Sequence, residues 1–197
     1  VYRGNELLGE ATGTIMTSDG VILTCAHVIS SGDHFRARIY CPNAPGGSFR
    51  WFDAVPLEPV CSDCDLAVLK MDGSHFAAAA LAPAAALPEP GDEILMLGFP
   101  MGRMLNGNDQ DLLNVSYTNG TVSSIQRPRS VQRCYCSITG LHGSSGSPVF
   151  STKDQRMIGV FSGSVRSRDS HSLDELNFFH PIRYFWERFT RQEDAGQ

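Results

Sequence analysis

The chain has 197 residues, 42% of them hydrophobic and 19% charged, with a formal net charge of −5. That apolar content supports one substantial core or two small ones packed together, and it excludes a disordered chain. The mild acidity and the lack of any Lys/Arg cluster exclude an electrostatic nucleic-acid partner, and no stretch approaches the roughly 20 apolar residues that a membrane-spanning helix needs.

Short runs rich in Val, Ile, Leu, Phe and Thr follow one another between 19 glycines and 11 prolines. In chain order they are 12–17 (TGTIMT), 21–29 (VILTCAHVI), 35–40 (FRARIY), 66–71 (LAVLKM) and 93–99 (EILMLGF). Then come 117–125 (YTNGTVSSI), 134–139 (CYCSIT), 147–150 (SPVF) and 157–165 (MIGVFSGSV). Runs of this length bounded by turn residues predict an all-β barrel or sandwich. Only 182–191 (IRYFWERFTR) places apolar residues at helical spacing, through Ile182, Phe185, Trp186 and Phe189, which predicts a closing amphipathic helix. Alanines and prolines in 77–92 suit an extended connector, because proline fixes its own φ and disfavours helix in the residue before it. The expected organisation is a first β unit over 1–80, a connector over 81–92, a second β unit over 93–181, and a helix with tail over 182–197.

Three segments carry chemistry. His27 ends an apolar run, Asp65 opens another, and Ser145 sits in the glycine-bounded turn HGSSGSPVF. A serine hydroxyl becomes a competent nucleophile only when a base takes its proton, and histidine suits that task because its pKa lies near neutrality. A carboxylate then fixes the histidine tautomer and stabilises the imidazolium. The oxyanion of the intermediate needs backbone N–H donors, here expected from the turn Gly143, Ser144 and Ser145. Each residue alone has a bland reading: a histidine near a turn, an acid starting a strand, a flexible serine loop. Together, in the order His, Asp, Ser with separations of 38 and 80 residues, they predict a site between the two β units.

Six collinear segments resemble the trypsin-like protease domain of the HtrA/Deg family: ATGTIMTSDGVILTCAHVI, SDCDLAVLK, LPEPGDEILMLGFPMG, SYTNGTVSSIQR, HGSSGSPVF, and MIGVFSG with NFFHPI. The resemblance implies two six-stranded antiparallel β-barrels of the chymotrypsin type with a short C-terminal helix. It also implies endopeptidase action on unfolded or extended protein, with no metal or organic cofactor. The family's nucleophile turn is usually Gly-Asn-Ser-Gly-Gly-Pro; here Ser144 and Ser147 replace the Asn and the second Gly. His142 stands where the family often has proline. The 197 residues read as a protease unit alone, although many members carry a PDZ unit as well, and whether one belongs to this molecule is left open. Members often trimerise through an N-terminal segment, where Tyr2 is the aromatic residue available, so a homotrimer and a monomer both remain open. The rival function is a protease-fold binding or chaperone-like module that is inactive or needs an activating effector.

The primary specificity pocket is expected between Thr139, Gly140, Leu141 and His142 on one side and Phe161, Ser162 and Gly163 on the other. Neither segment holds an acid to recognise Lys or Arg, which points to small or medium apolar side chains. His142 reads either as a substrate contact or as a solvent-facing loop residue. Cys61-x-x-Cys64 and Cys134-x-Cys136 read first as ordinary thiols, with a disulfide and a structural zinc as alternatives. Cys25 reads as a small buried residue behind His27.

Overall fold

The computed structural model describes residues 1–41, 48–102, 115–127, 131–166 and 175–190. The first half forms β1 (Tyr2–Arg3), β2 (Glu6–Leu7), β3 (Thr14–Ile15), β4 (Val21–Thr24), helix α1 (Ala26–Ile29), β5 (Phe35–Cys41), β6 (Ser48–Cys61) and β7 (Leu66–Met71). The second forms β8 (Glu93–Gly98), β9 (Ser116–Gln126), β10 (Arg133–Cys136), β11 (Pro148–Ser151), β12 (Met157–Arg166), β13 (Glu175–Pro181) and helix α2 (Arg183–Phe189).

The second half closes into a six-stranded antiparallel barrel in the order β10-β13-β12-β11-β8-β9. In the first half, a five-stranded antiparallel sheet in the order β3-β4-β7-β6-β5 forms a half-barrel, so the two halves match the expected double barrel of the chymotrypsin type with one strand fewer in the first among the described residues. Strand β3 pairs only with β4, over two residues, and offers too few ladder groups to close onto β5. The hairpin β1–β2 stands apart as its own two-stranded sheet. Tyr2, the aromatic residue of the N-terminal segment, packs its ring against His34 of the same chain at 5.9 Å between centroids.

Strand β6 escapes the sequence pattern. It carries Pro56 and Pro59, and proline normally demotes a run because it cannot donate to the ladder. The sheet accommodates both: β6 pairs with β5 and β7, Pro56 stands opposite Leu69, and a register shift between Leu57 and Cys61 carries the chain past Pro59.

Period-two alternation along β4 and β7 feeds two hydrophobic layers at once. Leu23, Leu66 and Val68 point into a cluster shared with Ile94, Val149 and Phe179 of the barrel. Their neighbours Ile22, Ala67 and Leu69 point the other way, onto Phe35, Ala54 and Met71. The shared cluster fastens the barrel to the sheet, with each fully buried aliphatic side chain contributing about 1.5–3 kcal/mol.

The connector after residue 77 forms no helix, bends at turns over 83–86 and 89–92, and is pinned near its start. The N–H of Met157 donates to the Ala80 carbonyl at 2.8 Å and the N–H of Ala82 donates to the Met157 carbonyl at 2.9 Å. Trp186 of α2 donates its indole N–H to the Ala82 carbonyl at 2.9 Å. The expected stripe on the closing helix is in place: Ile182 and Phe185 are buried, and Trp186 and Phe189 pack on the same core. Tyr184, off that stripe, is also buried and accepts a hydrogen bond from the Gln132 N–H at 2.6 Å. Residues 191–197 of the expected tail lie outside the described residues.

The thiol reading needs correction at one pair. Cys61 and Cys64 are joined by a disulfide with their Cα atoms 5.5 Å apart, closing the turn that precedes Asp65. The turn itself supplies the reason, since it folds two cysteines three residues apart onto each other. A four-thiolate zinc site is incompatible with that bond. Cys134 and Cys136 are free and buried, and burial pushes their thiols up to about 12 and about 11.

Candidate active site

Strand β4 delivers the chain to Cys25, still extended at φ −83° and ψ 144°, and α1 begins immediately after it. His27 is therefore held by one helical turn rather than by strand. Its N–H donates to Asp65 Oδ1 at 2.9 Å, and its ring Nδ1 meets Asp65 Oδ2 at 2.8 Å. Two contacts from one residue fix both the position and the tilt of the imidazole.

Asp65 lies between the disulfide turn and β7 at φ 50°, a left-handed conformation that Asp tolerates better than most residues. Its carbonyl accepts from the Ala26 N–H at 3.1 Å, tying it to α1. The Ser162 hydroxyl donates to Asp65 Oδ2 as well. Burial alone would raise the Asp65 carboxyl, but the hydrogen bonds from the His27 ring, the Ser162 hydroxyl and the His27 N–H outweigh it and hold the group below its usual range. The imidazole responds in the opposite sense. The Asp65 hydrogen bond lifts the His27 pKa above its ordinary value against partial burial, and the carboxylate's charge adds to the lift.

The serine turn depends on its two glycines. Gly143 has φ 90°, and a Cβ there would meet the Phe99 carbonyl at 2.6 Å; Gly146 has φ 85°, and a Cβ would meet the Thr12 carbonyl at 2.0 Å. The carbonyl of His142 accepts from the Met101 N–H at 2.5 Å. In a trans peptide the C=O and the following N–H point in opposite directions, so the Gly143 N–H faces away from Met101. Ser144 departs from the expected set of oxyanion donors. Its N–H donates to the Leu141 carbonyl at 2.9 Å, and its Oγ accepts from the Leu141 N–H at 3.1 Å. Ser144 is thus the buried brace of the turn, and the N–H groups of Gly143 and Ser145 have no acceptor among the described residues.

Thr12 is the residue that sequence reasoning missed. Its N–H donates to the Ser145 carbonyl at 2.9 Å, and its Oγ1 donates to the Gly143 carbonyl at 2.8 Å while accepting from the Phe99 N–H at 3.1 Å. One buried threonine from the first half therefore braces the serine turn of the second. No motif marks it, because its partners are backbone groups over 80 residues away.

A single cleft brings His27 and Ser145 together with Gly143, Gly140, Leu141, His142, Phe161 and Gly163. His142 both borders this cleft and faces solvent. Two expected pocket residues fall outside it. Thr139 is exposed elsewhere, and Ser162 turns to the opposite face of β12 from Phe161, where it serves Asp65. Ser164 and Asn177 line the cleft and were not foreseen. The Ser145 hydroxyl donates to the Ser162 carbonyl at 3.3 Å.

Among the described residues, Cys25, His27 and Asp65 form the one set whose ligand atoms, within 4.8 Å of each other, suit a metal ion. The Cys25 thiol is ill matched to that role. Burial first, then the negative Asp65, push its pKa well above the ordinary value, and its Sγ faces the Phe161 carbonyl at 3.3 Å. Metals need the thiolate, and this site keeps the thiol.

A family model described as a trypsin-like peptidase domain matches residues 11–160. Among solved structures, the serine endoprotease from Yersinia pestis is 22% identical with a TM-score of 0.72, covering 94% of this chain and 58% of that one. The HtrA-type protease AlgW with decapeptide is 22% identical with a TM-score of 0.69, covering 90% of this chain and 49% of that one. The MamO protease domain from Magnetospirillum magneticum is 17% identical with a TM-score of 0.70, covering 93% of this chain and 90% of that one. The chain thus spans about half the length of the first two. No curated protein matches it.

Proposed function

The chain belongs to the trypsin-like peptidase family, and on that premise we propose that it is a serine endopeptidase cleaving extended or unfolded protein through an acyl-enzyme. The observation that carries this reading is the shared cleft of Ser145, the Asp65-paired His27 and the Gly143 and Ser145 N–H groups.

In the proposed mechanism, Ser145 Oγ attacks the scissile carbonyl while His27 Nε2 takes its proton. The imidazolium so formed keeps its Nδ1–H on Asp65 Oδ2, whose depressed pKa keeps it ionised near neutral pH. The carbonyl oxygen becomes an oxyanion and moves towards the N–H groups of Gly143 and Ser145. His27 then gives the proton to the leaving amine, and a water repeats the sequence in reverse to release the acid.

The hydrogen bond from Ser145 Oγ to the Ser162 carbonyl favours a second reading, a resting form that substrate or an effector converts. Rotation about χ1, whose staggered wells lie about 120° apart, would move the hydroxyl from that carbonyl towards His27.

Denatured casein and a fluorophosphonate probe test both readings. The wild-type chain is expected to digest casein and to be labelled at Ser145, and Ser145→Ala to lose on the order of 10⁴-fold or more in rate. Labelling that appears only after substrate is added identifies the resting form. A folded wild-type chain that neither cleaves nor labels under any of these conditions refutes the peptidase assignment.

A further inference from the structure

The cleft holds one buried polar side chain that acyl transfer does not use. Asn177, on β13, is 9% exposed and borders the cleft beside Gly140, Phe161, Gly163 and Ser164. It stands in register with Cys136 of β10 and Ser164 of β12, so strands on both sides hold its backbone. The Gly140 N–H donates to its Oδ1 at 3.4 Å. That donor fixes the orientation of the carboxamide, because an N–H needs the oxygen facing it; Nδ2 then points away from Gly140. No described residue accepts from Nδ2, and it is absent from the described polar atoms that are sealed off without a partner. Among the described residues, its N–H groups are therefore left for a ligand in the cleft.

The neighbouring residues leave room for one. A Cβ on Gly140 would meet the Phe161 ring at 2.4 Å, so glycine there lets the ring lie flat along the wall, whereas a Cβ on Gly163 would meet nothing within 4 Å. The side chain of Ser164 is exposed and offers a hydroxyl on the same strand. No Lys or Arg is among the described residues lining the cleft, whose ionisable groups are Glu10, His27, His142 and the amino group of Val1, so no guanidinium or lysine ammonium favours a carboxylate over a neutral amide there.

We propose that Asn177 determines primary specificity, selecting a carboxamide side chain (Gln or Asn) immediately before the scissile bond. The substrate carbonyl accepts from Asn177 Nδ2, the substrate NH₂ donates to Ser164 Oγ, and the flat amide lies against Phe161. An apolar side chain of equal size leaves the Asn177 donor buried without a partner. Sites built to hydrogen-bond a substrate reject the analogue lacking that group for this reason. This selectivity departs from the apolar preference expected from the acid-free pocket segments, and the same peptides decide between the two.

This inference rests on the peptidase reading, and one experiment separates the two. Peptides differing only in the residue before the scissile bond (Gln, Leu or Lys) are scored by kcat/KM, with fluorophosphonate labelling of Ser145 run in parallel. The wild type is expected to prefer Gln to Leu by roughly 10-fold or more. Asn177→Ala is expected to bring that ratio to about one, Asn177→Asp to shift preference to Lys, and Ser164→Ala to lower Gln relative to Leu several-fold. A purely structural role would lower all three peptides together and leave the ratios in place. Labelling at Ser145 with no preference for Gln, with no cleavage of the Gln peptide, or with a ratio unmoved by Asn177→Ala overturns this proposal alone. Absence of both labelling and cleavage overturns the peptidase reading and this one with it.

Discussion

The imidazole of His27 is half exposed, and its contact with Asp65 governs the pH at which it can act as a base. The hydrogen bond from Asp65 raises its pKa, so the acid limb of kcat/KM is expected above pH 6.5, with the rate rising as pH passes the raised value. Asp65→Asn removes the cause of the lift: the limb should move down in pH while the rate falls on the order of 10⁴-fold. A limb that stays put in the variant would mean that another group controls it. Ser147 makes the opposite kind of prediction. Its hydroxyl is fully buried without a partner, packed where Gly98 lacks a Cβ. Ser147→Ala deletes an unsatisfied polar group and should stabilise by about 1 kcal/mol, read as a rise in denaturant midpoint.

Among the structural elements, the serine turn is held less by itself than by the strand ends around it. Thr12 precedes β3 and Phe99 follows β8; the Thr12 hydroxyl accepts from the Phe99 N–H and donates to the Gly143 carbonyl. Thr12→Val keeps the shape and removes the hydroxyl, leaving the half-buried Phe99 N–H and Gly143 carbonyl each short of a partner. A loss of about 2 kcal/mol in stability and roughly 10-fold in kcat is expected, with Thr12→Ser restoring most of both. If Thr12→Val were as active as Thr12→Ser, the threonine would not be positioning the turn. Elements also mark where the sequence was readable. Strands β4, β7, β8 and β12 announce themselves because each carries a short stretch rich in apolar residues bounded by turn residues. Strand β6 does not, because its two prolines argue for a loop until neighbours on both edges supply the ladder. The same holds for His27, which sits on a helical turn that four residues cannot signal.

At the scale of the whole molecule, acid sensitivity falls on a buried histidine of the NFFHPI segment that acyl transfer does not use. His180 is 1% exposed, and burial lowers its pKa to about 4 despite a 3.2 Å contact with the Gln132 carbonyl. Its folded pKa lies below its unfolded value, so the unfolded chain binds more protons between about pH 4 and 6.5. Stability should therefore be complete above pH 6.5 and decline as pH falls through that window, by about 3 kcal/mol in all. His180→Gln is expected to flatten the slope of urea midpoints against pH, and an unchanged slope would assign the acid sensitivity to other groups.

The sequence by itself determined the β class, the order His27, Asp65, Ser145 and the need for glycine at positions 143 and 146. Each follows from local rules: strand periodicity, the chemical types that acyl transfer requires, and torsions that only glycine adopts freely. The tertiary structure alone decided that the first half is a five-stranded half-barrel, that Ser162 serves Asp65 rather than lining the cleft, and that Thr12 braces the serine turn while Asn177 borders the cleft. Those depend on which face of a strand meets which neighbour, and side-chain alternation leaves that open until both partners are in place.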